Sequence, residues 1–159
     1  MEYQIRPYKN SDKSTLEGLF NRFQDYLVSI DRFDILQRQA DYGKRYINIT
    51  LKTVLKGDGV IYVALFKGEI IGLIAALVYR SVDPGARPER RGRISELYVE
   101  MAYRNGGIGL ALMKRAERYL MAKGCKSIFI DVFVPNSSAY GFYKKLGYTA
   151  CDWDMIKKV

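Results

Sequence analysis

The sequence predicts an α/β fold of the α+β kind, with helices flanking a central antiparallel hairpin. Two long runs rich in Val, Ile, Tyr and Leu, Val60 to Phe66 and Glu69 to Tyr79, are joined by the tight turn Lys67-Gly68, which predicts the hairpin. On both sides of these runs, apolar residues recur at spacings of three and four, which predicts helices.

The N-terminal part predicts one short strand and two helices. Residues Tyr3 to Pro7 alternate briefly and then reach a proline, as a short edge strand does. The first helix has an apolar stripe made of Leu16, Leu19, Phe20, Phe23 and Leu27. A second helix is predicted over Tyr42 to Leu55, and the turn Gly57-Asp58-Gly59 ends it.

The C-terminal part predicts strands alternating with helices. Strands are expected at Arg93 to Met101, Ser127 to Val134 and Tyr148 to Lys158, and helices at Gly107 to Lys123 and Ser137 to Leu146. Because no linker or repeat interrupts the 159 residues, we expect a single domain over residues 1–159.

The absence of histidine limits the available chemistry. It excludes Ser-His-Asp and Cys-His catalysis, His-based metal sites and an imidazole proton shuttle. We expect no metal, and catalysis is left to carboxylates, Tyr, Lys, Cys, main-chain amides or water.

The net charge of +9 is compatible with a polyanionic partner. Basic residues cluster from Arg80 to Arg93, among Pro and Gly residues that indicate an exposed loop. No aromatic residue lies among these arginines to stack on bases, so a solvated loop is favoured over a nucleic-acid site.

The chain is expected to be cytoplasmic and to stay out of the membrane. It opens without a signal-like segment, and its longest apolar stretch, Ile70 to Tyr79, is too short to cross a bilayer. Cys125 and Cys151 form no Cys-x-x-Cys motif, which favours reduced thiols.

A glycine-rich turn between a predicted strand and a predicted helix is the strongest candidate for a ligand site. In Arg104-Asn105-Gly106-Gly107-Ile108-Gly109, three glycines allow positive φ angles and a close approach of the main chain to a ligand. No Asp or Glu lies between Met101 and Ala116, so the positive end of the helix is left for an external anion. We expect a pyrophosphate on Gly107 to Gly109, with Arg104 supplying a charge nearby; a tight turn without a ligand is the alternative.

Two ordered motifs make the chain resemble the GCN5-related N-acetyltransferase (GNAT) family. The family's pyrophosphate motif (Gln or Arg, two residues, Gly, one residue, Gly or Ala) is matched by Arg104, Gly107 and Gly109, and Leu97-Tyr98-Val99 matches the strand before it. The second motif is matched by Asn136, Ala139, Phe142-Tyr143 and Gly147-Tyr148. Met101 and Asn105 depart from the family's usual Pro and Gly, and the N-terminal half carries no motif of the family.

The resemblance implies a GNAT-type fold and acetyl-CoA as the cofactor, consumed as a co-substrate. The fold has a mixed, mostly antiparallel central sheet flanked by about four helices, with a splayed parallel strand pair that binds the cofactor. The expected cofactor-binding residues are Leu97, Tyr98, Val99, Arg104, Asn105, Gly106, Gly107, Ile108, Gly109, Asn136 and Tyr143. By the same resemblance, main-chain groups of Leu97 to Val99 bind the pantetheine arm, and the Val99 amide stabilises the oxyanion.

Glu96 is the expected general base, acting directly or through water, because a carboxylate on a largely apolar strand is partly desolvated. A salt-bridged surface residue is the competing interpretation. Strand alternation places Ile94, Glu96, Tyr98 and Glu100 on one face, which makes Glu100 an alternative base. Asp131 is a third carboxylate, expected to be structural.

Tyr143 is the expected general acid, because similar enzymes place this tyrosine near the sulfur and a phenol is protonated at neutral pH. A core tyrosine is the alternative. Asn136 is expected to cap the helix that follows it and also to contact the amide arm of the cofactor.

The expected function is acetyl-CoA-dependent transfer of an acetyl group to a primary amine of a small molecule, peptide or protein. The alternative is a catalytically silent sensor or partner-binding module that binds coenzyme A on the same fold. Asp25, Tyr26, Asp31 and Asp34 are the acceptor-side candidates, with plain solvation as their competing role. The sequence leaves the acceptor, the acyl-chain preference and a homodimer open.

Overall fold

The computed structural model describes residues 2–158, and within them five strands form one mixed sheet. The strands are β1 (Gln4–Pro7), β2 (Val60–Phe66), β3 (Glu69–Tyr79), β4 (Arg91–Val99) and β5 (Ser127–Ile130). They lie in chain order, antiparallel from β1 to β4 and parallel between β4 and β5. The predicted mixed, mostly antiparallel sheet is confirmed. Residues 1 and 159 of the expected domain lie outside the described part.

The helices of residues 2–158 are α1 (Lys13–Ser29), α2 (Tyr42–Lys56), α3 (Ile108–Ala122) and α4 (Ser137–Lys145). Short 3₁₀ turns at Asn10–Asp12 and Met101–Tyr103 precede α1 and the glycine-rich turn. Across this part of the chain, no helix has both the length and the apolar character that crossing a bilayer requires.

Helices α1 and α2 cover one face of the sheet. The apolar stripe of α1 buries Leu16, Leu19 and Phe20, and Ile47 of α2 joins them in one cluster with Leu73 of β3. Because residues three and four apart lie on one side of a helix, the periodicity in the sequence is enough to explain this packing. Full burial of each Leu or Ile side chain contributes about 1.5–3 kcal/mol.

Helix α3 covers the opposite face. Leu112, Ala116 and Leu120 of α3 are fully buried in a second cluster that includes Ile74 of β3 and Ile94 of β4. Residues of α4 join the same cluster. The sheet thus separates an α1 and α2 side from an α3 and α4 side, and β4 contributes to both.

The parallel strands β4 and β5 separate part of the way along their length. They pair only from Arg91 to Ile94 of β4, opposite Ser127 to Ile130 of β5. Residues 95–99 of β4 continue without a partner on that side, so their outward-facing main-chain groups are left for other partners. The expected splayed strand pair is confirmed.

The register of β4 against β3 shifts by one residue at Ser95. Glu96 and Ile94 lie opposite consecutive residues of β3, so Ser95 between them has no partner. Because side chains alternate along a strand, the extra residue turns Ile94 and Glu96 to opposite faces. Ile94 packs with α3, whereas Tyr98 packs with α1 and α2. The prediction that Ile94 shares a face with Glu96, Tyr98 and Glu100 is therefore wrong.

The basic segment predicted as a loop belongs partly to the sheet. Strand β4 begins at Arg91, two residues before the predicted start, and contains Gly92. A Cβ atom at Gly92 would lie 2.7 Å from Cδ1 of Leu120, so this glycine allows α3 to approach the strand closely. Its role is close packing, which a Gly-rich composition does not distinguish from a turn.

The predicted final strand from Tyr148 to Lys158 does not form. Residues 149–158 are all exposed, among them the large apolar side chains of Trp153, Met155 and Ile156. A strand needs a neighbouring edge for its hydrogen bonds, and this segment pairs with none of the described strands. For a similar reason β5 ends at Ile130 instead of the predicted Val134, because its pairing with β4 stops there.

Candidate active site

The glycine-rich turn contains two left-handed residues, one at a glycine, as predicted, and one at Asn105. Asn105 has a φ of +63° and Gly107 a φ of +81°, and Gly107 is the N-cap residue of α3. Residues Asn105 to Gly107 are exposed, whereas Ile108 is fully buried against the sheet. The turn is thus anchored by Ile108 and presents its main chain to solvent.

The start of α3 has the properties of an anion site. Its first turn has no acidic residue, and no side chain caps it. The first main-chain N–H groups of an α-helix have no partner within the helix, and the helix dipole adds partial positive charge there. The closest atom to a Cβ placed at Gly107 would be the Tyr3 hydroxyl, 4.0 Å away, so the space over the glycine is open. These residues fit a diphosphate group.

Arg104 is held against the open side of β4. Its Nε donates a 2.9 Å hydrogen bond to the Val99 carbonyl, and its guanidinium lies 4.6 Å from the ring centre of Tyr26 and 5.6 Å from that of Tyr98. Cation–π contacts of this kind stabilise by about 0.5–1 kcal/mol at exposed sites. The arginine thereby links the glycine-rich turn to α1 and β4.

The main chain near the end of β4 points alternately toward β3 and toward the open side. The Glu100 N–H donates to the Ile71 carbonyl of β3 at 2.8 Å. Because these directions alternate along a strand, the N–H and carbonyl groups of Val99 and Leu97 point to the side that β5 has left. The Arg104 contact occupies the Val99 carbonyl, and the Val99 N–H faces the same opening.

Glu96 is a buried carboxylate on this strand, with only 8% of its surface exposed. Burial raises its pKa to about 7, and a hydrogen bond from Tyr46 partly opposes that rise. The Tyr46 hydroxyl donates to Oε1 of Glu96 at 2.7 Å. A carboxyl group with this pKa can exchange a proton near neutral pH. The expectation that Glu96 is desolvated agrees with this environment, and the surface interpretation does not.

Tyr46 lies within the predicted second helix, and its sequence context indicated no functional role. Its ring lies 5.0 Å from that of Phe20 and 5.1 Å from that of Tyr42 between ring centres. The one signal in the sequence is that Tyr42 and Tyr46 are four residues apart, which places two phenols on one side of α2. The partner of the hydroxyl group depends on the sheet beneath the helix.

Tyr143 lies on the other side of the sheet, in the cluster of α3 and α4. It is buried, with the rings of Phe142 and Tyr148 at 5.3 Å and 5.9 Å. Burial raises the pKa of Tyr143, and the charge of Glu96 raises it further, so the phenol is protonated at neutral pH. The two predicted catalytic residues therefore interact electrostatically, because the charge of Glu96 contributes to the raised pKa of Tyr143.

Asn136 is the N-cap residue of α4. Its Oδ1 accepts a 3.3 Å hydrogen bond from the Ala139 N–H, and also bonds from the hydroxyls of Tyr26 at 3.2 Å and Ser138 at 3.1 Å. The predicted capping role is present in the structure. The Tyr26 contact was not expected, and it joins α1 to α4.

The two alternative carboxylates are both engaged in ion pairs. Glu100 accepts from Arg22 at 2.6 Å and from the Tyr98 hydroxyl at 3.2 Å. The Asp131 side chain is 81% exposed and pairs with Arg93. Asp131 is thus an exposed carboxylate in a surface ion pair, and neither residue has the secluded environment of Glu96.

The acceptor-side candidates near α1 are tied to their own surroundings. Asp25 pairs with Arg38, and Asp34 lies 3.5 Å from Lys158. Burial opposes ionisation of Asp31, but hydrogen bonds from main-chain N–H groups of the following loop outweigh it and lower its pKa. Asp31 thus organises the loop after α1, while Tyr26 contacts Arg104 and Asn136.

The chain is similar to known proteins in sequence and in structure. The sequence model of the Acetyltransferase (GNAT) family matches residues 18–148 of this chain. Mycothiol acetyltransferase from Amycolatopsis mediterranei is 32% identical over 94 residues, which is 59% of this chain, and the matched part spans 31% of that protein.

Solved structures share the fold along almost the whole chain. A mutant of the protein BH1408 from Bacillus halodurans has a TM-score of 0.84 at 21% identity, covering 98% of this chain and 99% of the other. A predicted acetyltransferase from Clostridium acetobutylicum, solved with acetyl-CoA, has a TM-score of 0.76 at 18% identity, covering 98% and 96%. These structures share the fold, and the family match over residues 18–148 shows that the chain belongs to the acetyltransferase (GNAT) family.

Proposed function

We propose that the protein transfers the acetyl group of acetyl-CoA directly to a primary amine of a small molecule, peptide or protein. The observation that carries this proposal is the environment of Glu96. It is a buried carboxyl group with a pKa raised to about 7. It lies on β4, beyond the last residue that pairs with β5 and before the glycine-rich turn. Family membership and the reduced cysteines support a cytoplasmic enzyme.

The proposed cofactor site combines the turn with the open edge of β4. Main-chain N–H groups from Asn105 to Gly109 bind the pyrophosphate, and the outward-facing groups of Leu97 to Val99 bind the pantetheine arm. The Val99 N–H faces the same opening and, as a donor, stabilises a developing oxyanion, while the Val99 carbonyl accepts from Arg104. Asn136, at the start of α4, accepts a hydrogen bond from Tyr26, and the ring of Tyr26 contacts Arg104 of the proposed site. Bound there, acetyl-CoA supplies the activated acyl group.

Glu96 and Tyr143 have the proposed proton-transfer roles. With a pKa raised to about 7, Glu96 exchanges a proton near neutral pH, and its carboxylate accepts a proton from the attacking amine, directly or through water. Tyr143, whose pKa is raised by burial and by Glu96, is protonated at neutral pH and donates its O–H to the departing thiolate. The C–N bond forms and the C–S bond breaks, the amine proton goes to Glu96, and the sulfur receives a proton from Tyr143. Exchange with solvent then returns both side chains to their starting protonation states. No covalent enzyme intermediate is needed.

The test is a turnover screen with acetyl-CoA against peptides, polyamines, amino acids and aminoglycosides, followed by release of free thiol. With an acceptor found, Glu96→Gln should lower kcat about 10²–10⁴-fold at neutral pH, and Tyr143→Phe should also lower it, since general acid–base catalysis contributes this much. Calorimetric affinity for coenzyme A should be unchanged in Glu96→Gln.

The same variants separate the enzyme from a catalytically silent binder of coenzyme A. A silent binder would bind coenzyme A but release no thiol with any amine of the panel. Unchanged kcat in both variants would remove Glu96 and Tyr143 from the mechanism.

A further inference from the structure

A tyrosine on α2 contacts the proposed base from the α1 and α2 side of the sheet. The hydroxyl of Tyr46 donates a 2.7 Å hydrogen bond to Oε1 of Glu96. We propose that Tyr46 is a positioning residue, which orients the Glu96 carboxylate and sets the pH range in which Glu96 accepts a proton. This inference rests on the proposed function, because it requires Glu96 to be the base.

The ring of Tyr46 is held rigidly enough to fix the direction of its hydroxyl. It stacks on Tyr42, one helical turn earlier, at 5.1 Å and an interplanar angle of 18°, and it packs against Phe20 of α1 at 5.0 Å. Burial raises the pKa of Tyr46, and the charge and hydrogen bond of Glu96 raise it further. Tyr46 therefore stays protonated and acts as a donor to the carboxylate.

The hydrogen bond from Tyr46 stabilises the ionised form of Glu96 and so lowers its pKa. Within residues 2–158, the influences on the pKa of Glu96 are burial and this bond, and no lysine or arginine contributes. The titratable groups that respond to Glu96 are Tyr42 and Tyr46 on α2 and Tyr143 on α4, and all three are neutral at pH 7. A buried carboxylate that loses a donor becomes harder to ionise. Because Tyr46 binds Oε1, the second oxygen is left for the amine or a water molecule.

A purely structural role for Tyr46 makes a different prediction. If the residue served only to pack α2 against α1, removal of its hydroxyl would change stability and leave the protonation of Glu96 unchanged. The pH dependence of the reaction and the titration of Glu96 itself distinguish the two roles.

The kinetic test compares Tyr46→Phe with wild type across the acidic, neutral and alkaline range, with the acceptor found in the turnover screen. Phe keeps the ring that packs on Tyr42 and Phe20. Because the hydrogen bond stabilises the ionised carboxylate, its loss should move the acid limb of kcat/KM up by about one to two pH units. The decrease at neutral pH should be mainly in kcat, and much of the rate should return at alkaline pH.

The matched control is Tyr119→Phe, which removes a hydroxyl that donates to the Asp58 carbonyl at 3.1 Å, away from the site. Its pH profile should coincide with that of wild type. Glu96→Asp is a second variant, because it withdraws the carboxylate from Tyr46 without altering α2. It should move the acid limb in the same direction as Tyr46→Phe.

A titration that needs no turnover completes the test. Protein labelled with ¹³C at the glutamate carboxyl carbons is titrated by NMR without acetyl-CoA, and Glu96→Gln assigns the signal. The midpoint of Glu96 should rise in Tyr46→Phe, and an unchanged midpoint would overturn the inference even if Glu96→Gln is inactive. If Glu96→Gln turns over like wild type, the base assignment fails, and the role of Tyr46 fails with it.

Discussion

The hydroxyl of Tyr26 donates a 3.2 Å hydrogen bond to Oδ1 of Asn136, which joins α1 to the start of α4 across 110 positions of sequence. The same tyrosine ring lies under the guanidinium of Arg104, whose Nε binds the Val99 carbonyl. Three segments that flank the proposed cofactor site are therefore connected through one side chain. Changes at Asn136 should affect the fold and the site together.

Replacement of Asn136 by Ala should lower the free energy of unfolding by about 1–2 kcal/mol, because loss of an N-cap costs about this much and the Tyr26 hydroxyl loses its partner. Asn136→Asp is the matched control, since aspartate caps helices well and keeps the acceptor oxygens. Urea unfolding gives the free energy, and hydrogen exchange should locate faster opening in α4. Equal stability of the Ala and Asp variants would contradict the capping role.

Replacement of Gly107 by Glu should raise the Kd for coenzyme A at least about tenfold, equivalent to 1.4 kcal/mol. The substitution puts a negative charge where the pyrophosphate is proposed, at a φ of +81° that side chains rarely adopt. Gly107→Ala separates the backbone strain from the charge and should have the smaller effect on affinity. Gly68→Glu is the positional control, with a φ of +84° in an open turn. If Gly107→Glu and Gly68→Glu bind coenzyme A equally well, the pyrophosphate lies elsewhere.

Asp12 should make the protein sensitive to acid. Hydrogen bonds from Arg6, at 2.7 and 2.8 Å, are the main cause that lowers the pKa of Asp12, and burial opposes them. Since the folded-state pKa lies below the unfolded one, the stabilisation is complete above the unfolded value and is lost as the pH falls through the folded value. Asp12→Asn should therefore lower stability at pH 7 by about 1–3 kcal/mol and flatten its decline in acid.

Asp131→Asn is the control for this effect, because the Asp131 side chain is 81% exposed and its pair with Arg93 lies at the surface. Exposed ion pairs contribute about 0–1 kcal/mol, so its stability should stay close to wild type. Chemical unfolding at neutral and acidic pH gives both values. Parallel pH dependence of Asp12→Asn and wild type would exclude Asp12 as a source of acid sensitivity.

Gly43 should tolerate no side chain. A Cβ atom at this position would lie 2.1 Å from the main-chain oxygen of Glu17, so Gly43→Ala must push α1 and α2 apart. Overpacking of this kind costs about 1–3 kcal/mol, measured as a lower unfolding free energy. Gly141→Ala within α4 meets nothing within 4 Å and should be neutral or stabilising by up to about 1 kcal/mol. A stable Gly43→Ala protein would mean that the two helices pack less closely than described.

Local patterns were sufficient for most elements. The predicted bounds of β2 and β3 agree with the structure, the predicted α2 differs by one residue at its C-terminal end, and the predicted α3 differs by one residue at each end. These segments are long and strongly periodic, which is why their secondary structure can be recognised from the sequence. The resemblance to the GNAT family implied the sheet flanked by helices. The positive φ of Gly107 was predictable because glycine adopts such angles without steric cost, whereas that of Asn105 was not predicted.

The sequence by itself therefore determined most of the elements, their order along the chain and the glycine-rich turn before α3. The tertiary structure decided whether the last segment pairs, which face each side chain of β4 takes around Ser95, and that Tyr46 meets Glu96. Periodicity and turn chemistry act over a few neighbouring residues, so they can be recognised in the chain alone. Register, strand partners and hydrogen bonds between side chains 50 positions apart depend on how the whole sheet and its helices pack.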